Sequence, residues 1–214
     1  IIPLSDDPIK LVALDNPRSV MSEAFKILRT NVTFLFPKLK EKGNTILVTS
    51  SIAGEGKTSL SLNLAHSLAL TGKKTVIIGL DLRAPKLLEY LDLPKIGKGV
   101  SDFIVNTDLT TEDLTMTIDG TDNLFMIPSG TTPPNPSELL LLPRLQELFD
   151  QVKLDYDFVI VDTAPVGLVT DTLVTTHLSD VTLYTVRANV LDKEMLKLPA
   201  RLYREKKLNN MAVI

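Results

Sequence analysis

The 214-residue sequence contains no cysteine and no tryptophan, and it has only two histidines. Without cysteine, neither a disulfide bond nor a thiolate metal site can form in this chain. His66 and His177 lie far apart in sequence, which favours separate structural roles over a shared metal site. No apolar run reaches the roughly 18 residues of a transmembrane helix, so the sequence predicts no membrane span.

Charge and hydropathy are moderate. The formal net charge is −3, from 23 basic and 26 acidic residues, so the overall charge does not favour nucleic acid as a partner. Hydrophobic residues make up 44% of the chain, enough for one α/β domain with a substantial core. Continuous apolar runs such as 75–80 and 158–161 alternate with helix-like segments. This pattern predicts a three-layer α/β fold, with a mostly parallel β-sheet flanked by helices on both faces.

Residues 50–59, Ser-Ser-Ile-Ala-Gly-Glu-Gly-Lys-Thr-Ser, carry the strongest functional signal. They follow a strand-like run, Thr45–Thr49, and precede a helix-like run. A strand, a glycine-bearing loop ending in Gly-Lys-Thr and a helix together predict a phosphate-binding P-loop, although Ser51 stands where the full pattern has its first glycine. We expect Lys57 to reach the β- and γ-phosphates and Thr58 to bind Mg²⁺. The expected nucleotide-binding residues are Ala53, Gly54, Glu55, Gly56, Lys57, Thr58 and Ser59.

Two aspartates end strand-like runs. Asp81 follows the run 75–80, and Asp162 follows the run 158–161. Ligands of open α/β sheets bind at the carboxyl ends of the strands, so both aspartates are expected at the level of the phosphate loop. Asp162 fits the second half of a nucleoside-triphosphatase site, where a carboxylate holds Mg²⁺. For Asp81, a turn-capping or helix-capping role is the structural alternative.

The remaining segments surround these motifs. Strands are predicted at 124–127 and 181–186, and helices at 19–36, 87–91, 100–105, 108–114, 137–153, 170–178 and 192–208. Ser137 is expected to cap its helix, and Pro199 to kink or break the last one. The proline-rich loop 131–136 could line the nucleotide base or be an inert connection, and its composition does not decide between them.

The helix predicted at 19–36, capped by Ser19 or Ser22, carries charges at every third residue, namely Glu23, Lys26 and Arg29. These charges form either a solvated face or a subunit contact. The expected inward stripe consists of Ala24, Ile27, Leu28 and Val32. Residues 1–18, which contain three prolines, are expected to form an extended arm, and residues 19–214 the P-loop domain. The chain ends in an apolar run, 211–214, that is typical of a strand cut short.

These motifs resemble the cytoplasmic kinase domain of bacterial tyrosine kinases that control exopolysaccharide or capsule export, within the wider group of MinD- and ParA-like P-loop ATPases. The resemblance covers residues 17–214. Gly-Glu-Gly-Lys-Thr at 54–58 resembles the family's first nucleotide motif, and residues 158–165 resemble its other phosphate-side strand. Residues 130–140 and 23–29 are also similar to family segments, the latter to its oligomerisation helix.

The resemblance implies a protein-tyrosine autokinase that uses ATP and Mg²⁺. Subunits would form a ring through the helix that carries Glu23, Lys26 and Arg29, and each site would phosphorylate a tyrosine-rich tail of its neighbour. Membrane-anchored polysaccharide export machinery is the implied partner, nucleic acid is not, and the implied location is the cytoplasmic side of the bacterial inner membrane. The implied catalytic residues are Lys57, Asp81 and Asp162, and the implied metal-side residues are Thr58, Asp81 and Asp162.

The chain departs from the family pattern in three places. Gly79 stands where the family has the first of two aspartates, and Lys26 stands where its oligomerisation helix has arginine. The four tyrosines are scattered, so the tail is expected beyond Ile214. One rival is a MinD- or ParA-like ATPase, but that group usually carries an extra lysine where this chain has Ile52, which argues against this rival. The other rival is a weakly active nucleotide-binding scaffold of a polysaccharide export complex. Gly79 keeps this rival open, because it replaces a carboxylate of the family motif.

Overall fold

A seven-stranded β-sheet forms the centre of the molecule. The computed structural model describes residues 2–3, 11–12, 16–94 and 97–214. Within them the strands lie in the order β3-β4-β2-β5-β1-β6-β7, and every neighbouring pair is parallel except β3 with β4. The strands are β1 Asn44–Ser50, β2 Thr75–Gly79, β3 Met116–Thr117, β4 Leu124–Ile127, β5 Phe158–Asp162, β6 Val181–Thr185 and β7 Met211–Val213. The expected parallel sheet is confirmed.

Helices cover both faces of this sheet. They are α1 Val20–Thr33, α2 Lys57–Ala69, α3 Leu87–Tyr90, α4 Val100–Val105, α5 Thr111–Leu114, α6 Pro136–Leu139, α7 Pro143–Asp155, α8 Asp171–Thr175 and α9 Lys197–Arg204, with 3₁₀ turns at Thr176–Leu178 and Lys193–Leu196. On one face, strand residues such as Ile46 and Ile160 pack with helix α2. On the other, Val159 and Val161 pack with helix α7. These two cores separate the three layers of the predicted fold.

The order of the strands brings the two predicted motifs together. Strand β5 lies between β1 and β2, and Asp162 is in register with Val48 on one side and Gly79 on the other. Because the three strands are parallel, the loop that leaves β1 and the turn that leaves β2 emerge at the same edge of the sheet, on either side of Asp162. Burial on both faces explains why these strands are uninterrupted apolar runs.

Helix α1 is shorter than predicted and is rotated relative to the predicted stripe. Ser19 is its N-cap, and the Ser19 hydroxyl accepts a hydrogen bond from the backbone N–H of Ser22. Leu28 and Val32 are buried as expected, but Phe25 is buried with them whereas Ile27 is 62% exposed. The expectation for Ile27 was therefore wrong, because the larger aromatic ring occupies the core-facing position.

Prolines explain two further differences from the predicted helices. The single helix predicted at 137–153 is divided into α6 and α7, and Pro143 begins α7 because a proline fits the first helical turn. Asn135 rather than Ser137 precedes α6 as its N-cap residue. In the last helical region, Pro199 lies within the first turn of α9, so the break comes before the proline, at the preceding 3₁₀ turn.

Most of the arm expected at 1–18 lies outside the described residues. Two residues within it, Leu11 and Val12, are buried in the core on the α2 face. The backbone N–H of Val12 donates a hydrogen bond to Asn63 Oδ1 on helix α2 at 2.8 Å. This part of the arm is therefore anchored to the domain. No helix among the described residues is both long and apolar enough to cross a bilayer.

Candidate nucleotide and phosphoryl-transfer site

The loop between β1 and α2 has the backbone shape that phosphate binding requires. Gly54 and Gly56 have φ angles of 84° and 86°, a region that a side chain would strain. Gly56 is the N-cap residue of α2, so the loop leads directly into the positive end of the helix dipole. Ser51, at the position of the missing first glycine, shares a 2.9 Å hydrogen bond with the buried Tyr184 hydroxyl. The substitution therefore ties the loop to strand β6.

Glu55 braces this loop from within. Its carboxylate is only 2% exposed and accepts hydrogen bonds from the backbone N–H groups of Ile52, at 2.8 Å, and Arg187, at 3.4 Å. The Arg187 guanidinium in turn donates to the Gly54 carbonyl at 3.3 Å. Glu55, predicted only as one of the nucleotide-contacting residues, thus also links the loop to the end of strand β6.

Lys57, Thr58 and Asp162 come together as predicted. The Thr58 hydroxyl donates to Asp162 Oδ2 at 2.8 Å, and the Ser61 hydroxyl donates to Asp162 Oδ1 at 3.2 Å. Burial raises the pKa of Asp162 to about 6, against the opposing effects of the Thr58 hydrogen bond and the Lys57 charge. Burial also lowers the pKa of Lys57, although the carboxylates of Asp162, Asp81 and Glu55 counteract it. A buried carboxylate beside a hydroxyl and an ammonium group suits a divalent cation with phosphate ligands.

Asp81 lies at the same edge and shapes its own turn. Its backbone N–H donates to the Asp162 carbonyl at 3.1 Å. Its Oδ1 atom accepts the backbone N–H groups of Arg83, at 3.2 Å, and Ala84, at 3.0 Å. The turn-capping alternative is therefore real, and it does not exclude a chemical role, since Asp81 also lines the cavity described next.

A cavity of about 630 Å³ brings these groups together. Its wall includes loop residues 53–54 and 56–59, together with Asp81, Arg83 and Pro165. Lys57, Thr58 and Asp81 therefore share one cavity, whose lining includes no residue of the proline-rich loop 131–136. Tyr90, at the end of helix α3, also lines the cavity. The sequence did not predict this contact, because no motif links that short helix to the phosphate loop.

The charged residues of helix α1 lie away from this cavity. Lys26 Nζ lies 2.7 Å from Glu23 Oε1, and both side chains are exposed. The Arg29 guanidinium donates to the backbone carbonyl of Ser67 at 2.7 Å, so this arginine already joins α1 to the end of α2.

Ser61 and Asp171 are functional candidates that the sequence did not reveal, and it assigned no role to Arg83, which stands where the family motif has its arginine. Ser61 lies one helical turn after Thr58, a spacing that could have identified it. Asp171 and Arg83 form an ion pair between residues 88 positions apart, and no local pattern connects them.

Comparison with known proteins agrees with this geometry. A family profile described as an AAA domain matches residues 43–197. Over 157 residues the chain is 36% identical to the putative tyrosine-protein kinase CapB of Staphylococcus aureus, covering 73% of this chain and 67% of that protein. It is 33% identical over 187 residues to the tyrosine-protein kinase CpsD of Streptococcus pneumoniae, covering 87% and 80%. The chain belongs to the bacterial tyrosine-protein kinases.

Solved structures with a similar fold include a tyrosine kinase domain and a MinD protein. The kinase domain of Escherichia coli tyrosine kinase ETK matches it with a TM-score of 0.87 and 26% identity, covering 99% of this chain and 87% of that one. The septum site-determining protein MinD of Pyrococcus horikoshii, complexed with Mg-ADP, matches with a TM-score of 0.62 and 20% identity, covering 78% and 67%. The second likeness extends to the fold alone. The P-loop fold, nucleotide binding and kinase class expected from the sequence are confirmed.

Proposed function

We propose that this kinase transfers the γ-phosphoryl group of ATP to tyrosine at the cavity lined by residues 53–54, 56–59 and Asp81, beside Asp162. The observation that carries the proposal is the direct hydrogen bond between Thr58 and Asp162, in a site that also holds Lys57 and Asp81. Phosphoryl transfer depends mainly on positioning and on stabilising charge, and these groups supply both.

Each residue has a distinct role in this proposal. The N–H groups of residues 53–59 cradle the phosphates, and the Lys57 ammonium group neutralises charge that develops on the γ-phosphoryl group. Thr58 and Asp162 would hold a Mg²⁺ ion, which supplies further neutralisation of the phosphate charge. Asp81 orients the tyrosine hydroxyl and accepts its proton as the new P–O bond forms and the bond to ADP breaks.

The setting of the reaction is also a proposal. The kinase acts in trans on a tyrosine-rich tail of a neighbouring subunit in a ring, and Glu23, Lys26 and Arg29 contribute the subunit contact. The names of the relatives support a role in capsule or exopolysaccharide synthesis, since one is described as lying in the cps region of Klebsiella pneumoniae. In this proposal the kinase lies at the cytoplasmic face of the inner membrane, beside membrane-anchored polysaccharide export machinery.

One observation favours a second candidate, a weakly active nucleotide-binding scaffold. Gly79 lies beside Asp162 in the sheet and contributes no carboxylate. The MinD-like alternative is disfavoured because Ile52 stands where MinD-like ATPases usually carry their extra lysine. The backbone N–H of Ile52 donates a hydrogen bond to Glu55.

The test is Lys57→Met in the full-length chain with its tail. Lys57 is 8% exposed, and methionine has a similar shape without the charge, so the fold is expected to survive. We expect wild-type protein incubated with ATP and Mg²⁺ to become phosphorylated on tyrosine, and Lys57→Met protein with an unchanged circular dichroism spectrum to remain unphosphorylated. Undiminished phosphotyrosine in the variant would overturn the assignment.

A further inference from the structure

A buried carboxylate outside the cavity anchors one wall of the site. Asp171, the first residue of helix α8, is 3% exposed. Its Oδ2 atom accepts a hydrogen bond from Arg83 Nε at 2.7 Å, and its Oδ1 atom accepts one from Arg83 Nη2 at 3.1 Å. The Ser137 hydroxyl donates to the same Oδ1 at 2.7 Å and accepts from Arg83 Nη2 at 2.8 Å. The carboxylate, guanidinium and hydroxyl groups thus form a closed triangle.

Arg83 connects this triangle to the proposed catalytic carboxylate. Asp81 Oδ1 accepts hydrogen bonds from the backbone N–H groups of Arg83 and Ala84. Arg83 therefore contacts the Asp81 carboxylate through its backbone and the Asp171 carboxylate through its side chain. Two parallel N–H···O bonds to a carboxylate fix both the position and the orientation of a guanidinium plane. The 81–84 turn is therefore held from outside the cavity as well as by its own hydrogen bonds.

The same end of α8 also contacts a second segment of the cavity wall. The Thr172 hydroxyl donates to the Ala164 carbonyl at 2.7 Å, and Ala164 and Pro165 line the cavity. Asp171 itself is not among the residues that line it. Burial would raise the pKa of Asp171, but the hydrogen bonds from Arg83 and Ser137 lower it overall, so the carboxylate is the favoured form. A buried charge so fully paired has a positional rather than a chemical role.

We propose that Asp171 is a positioning residue for phosphoryl transfer, which acts through Arg83 to hold the 81–84 turn, and with it the Asp81 carboxylate, in place beside Lys57 and Asp162. The inference rests on the proposed role of Asp81 in the reaction. A displacement of about 1 Å at a reacting group is enough to reduce a rate by about a hundredfold, so loss of this anchor is expected to act on the chemical step.

The experiment compares Asp171→Asn, Arg83→Lys and the double variant with wild type, using the full-length chain, ATP and a tyrosine-containing copolymer as acceptor. Asp171→Asn keeps the shape but places an NH₂ group against the guanidinium, so we expect kcat to fall about tenfold while KM for ATP changes by less than about twofold. Because Asp171 acts through Arg83, Asp171→Asn is expected to cause no further loss in the Arg83→Lys background. Unchanged kcat in Asp171→Asn, or additive losses in the double variant, would overturn the proposal.

The matched control is Glu147→Gln, which removes an arginine–carboxylate ion pair from Arg144 on helix α7. This variant is expected to keep wild-type kcat. Should Asp171→Asn fail to fold, Ser137→Ala removes two sides of the triangle, the hydrogen bonds of Ser137 to Asp171 and Arg83, and retains the ion pair. We expect it to lower kcat by about two- to threefold, and an unchanged value would then count against the proposal.

A second measurement does not depend on activity. Hydrogen exchange of the Arg83 and Ala84 amides, followed by NMR, is expected to accelerate in Asp171→Asn and not in Glu147→Gln. If wild-type protein forms no phosphotyrosine but these amides respond as expected, the proposed function fails and the anchoring stands. If wild-type protein is active and the amides do not respond, the anchoring fails and the proposed function stands.

Discussion

Thr58 and Asp162 are 104 positions apart in sequence, and the hydroxyl of one donates to the carboxylate of the other at 2.8 Å. The pairing follows from the topology, since β1 and β5 are parallel neighbours and both end at this edge of the sheet. The hydrogen bond joins the end of the phosphate loop to the carboxylate on the neighbouring strand.

The pKa of Asp162, raised by burial from its ordinary value of 3.8 to about 6, predicts a pH dependence. Because the folded-state pKa lies above the unfolded one, this group favours folding at low pH, and its contribution is lost as pH rises from about 4 to about 6, by up to about 3 kcal/mol. Denaturant unfolding of nucleotide-free protein between pH 4 and 8 measures it. In Asp162→Asn we expect this part of the pH dependence to be absent, whereas superimposable wild-type and variant profiles would contradict it.

Glu55 is expected to support both stability and nucleotide binding. Glu55→Ala leaves the Ile52 N–H without its carboxylate partner, which is expected to lower the free energy of unfolding by about 1–3 kcal/mol and to weaken nucleotide affinity. Glu55→Gln retains an acceptor and should lie between wild type and alanine. Denaturant unfolding and calorimetric titration with nucleotide measure these effects. The control, Glu194→Ala, removes an exposed ion-pair partner of Lys197 and should change neither quantity.

Gly79 cannot be replaced simply by the missing aspartate. A Cβ atom at this position would lie 2.7 Å from Ser129 Oγ and 3.1 Å from both Ser129 N and Leu87 Cδ1. Gly79→Asp is therefore expected to lower the free energy of unfolding by about 1–3 kcal/mol, because Ser129 must move. Adding Ser129→Gly should recover part of that loss in denaturant unfolding. If the Gly79→Asp single variant is as stable as wild type, Ser129 and Leu87 accommodate the new side chain without cost and this prediction is wrong.

The charged face of α1 offers a test of the proposed ring. Glu23 and Lys26 are exposed and pair with each other, so Glu23→Lys is expected to abolish association at an unchanged unfolding temperature. Arg29→Ala should also lower the unfolding temperature, because Arg29 binds Ser67 within the same chain. Sedimentation velocity of the full-length protein measures association, and thermal unfolding separates Arg29→Ala from Glu23→Lys. A wild-type protein that stays monomeric throughout would remove the basis for a ring.

The sequence was sufficient for the parts of this molecule governed by burial and by short-range motifs. Strands buried on both faces appear as continuous apolar runs, so β2 and β5 were predicted almost to the residue. The position of Asp162 then followed from the rule that parallel strands end at a common edge. The Gly-Lys-Thr loop was recognisable because its neighbours were a strand and a helix.

Other features depend on packing between distant segments. Helical spacing fitted a stripe through Ile27 as well as one through Phe25, and only the core decides which is buried. The two-residue strand β3 is too short to leave a pattern. The triangle of Arg83, Ser137 and Asp171 joins three segments with no shared motif, so it became visible only in the folded chain.

The central claim is that the cavity beside Thr58 and Asp162 transfers phosphate to tyrosine rather than to water. Its most direct test is to incubate the full-length protein with γ-labelled ATP and Mg²⁺ and to measure ADP, free phosphate and phosphotyrosine together. We expect ADP and phosphotyrosine to rise in equal amounts, and both to be lost in Lys57→Met. Release of free phosphate with ADP, in the absence of phosphotyrosine, would contradict it.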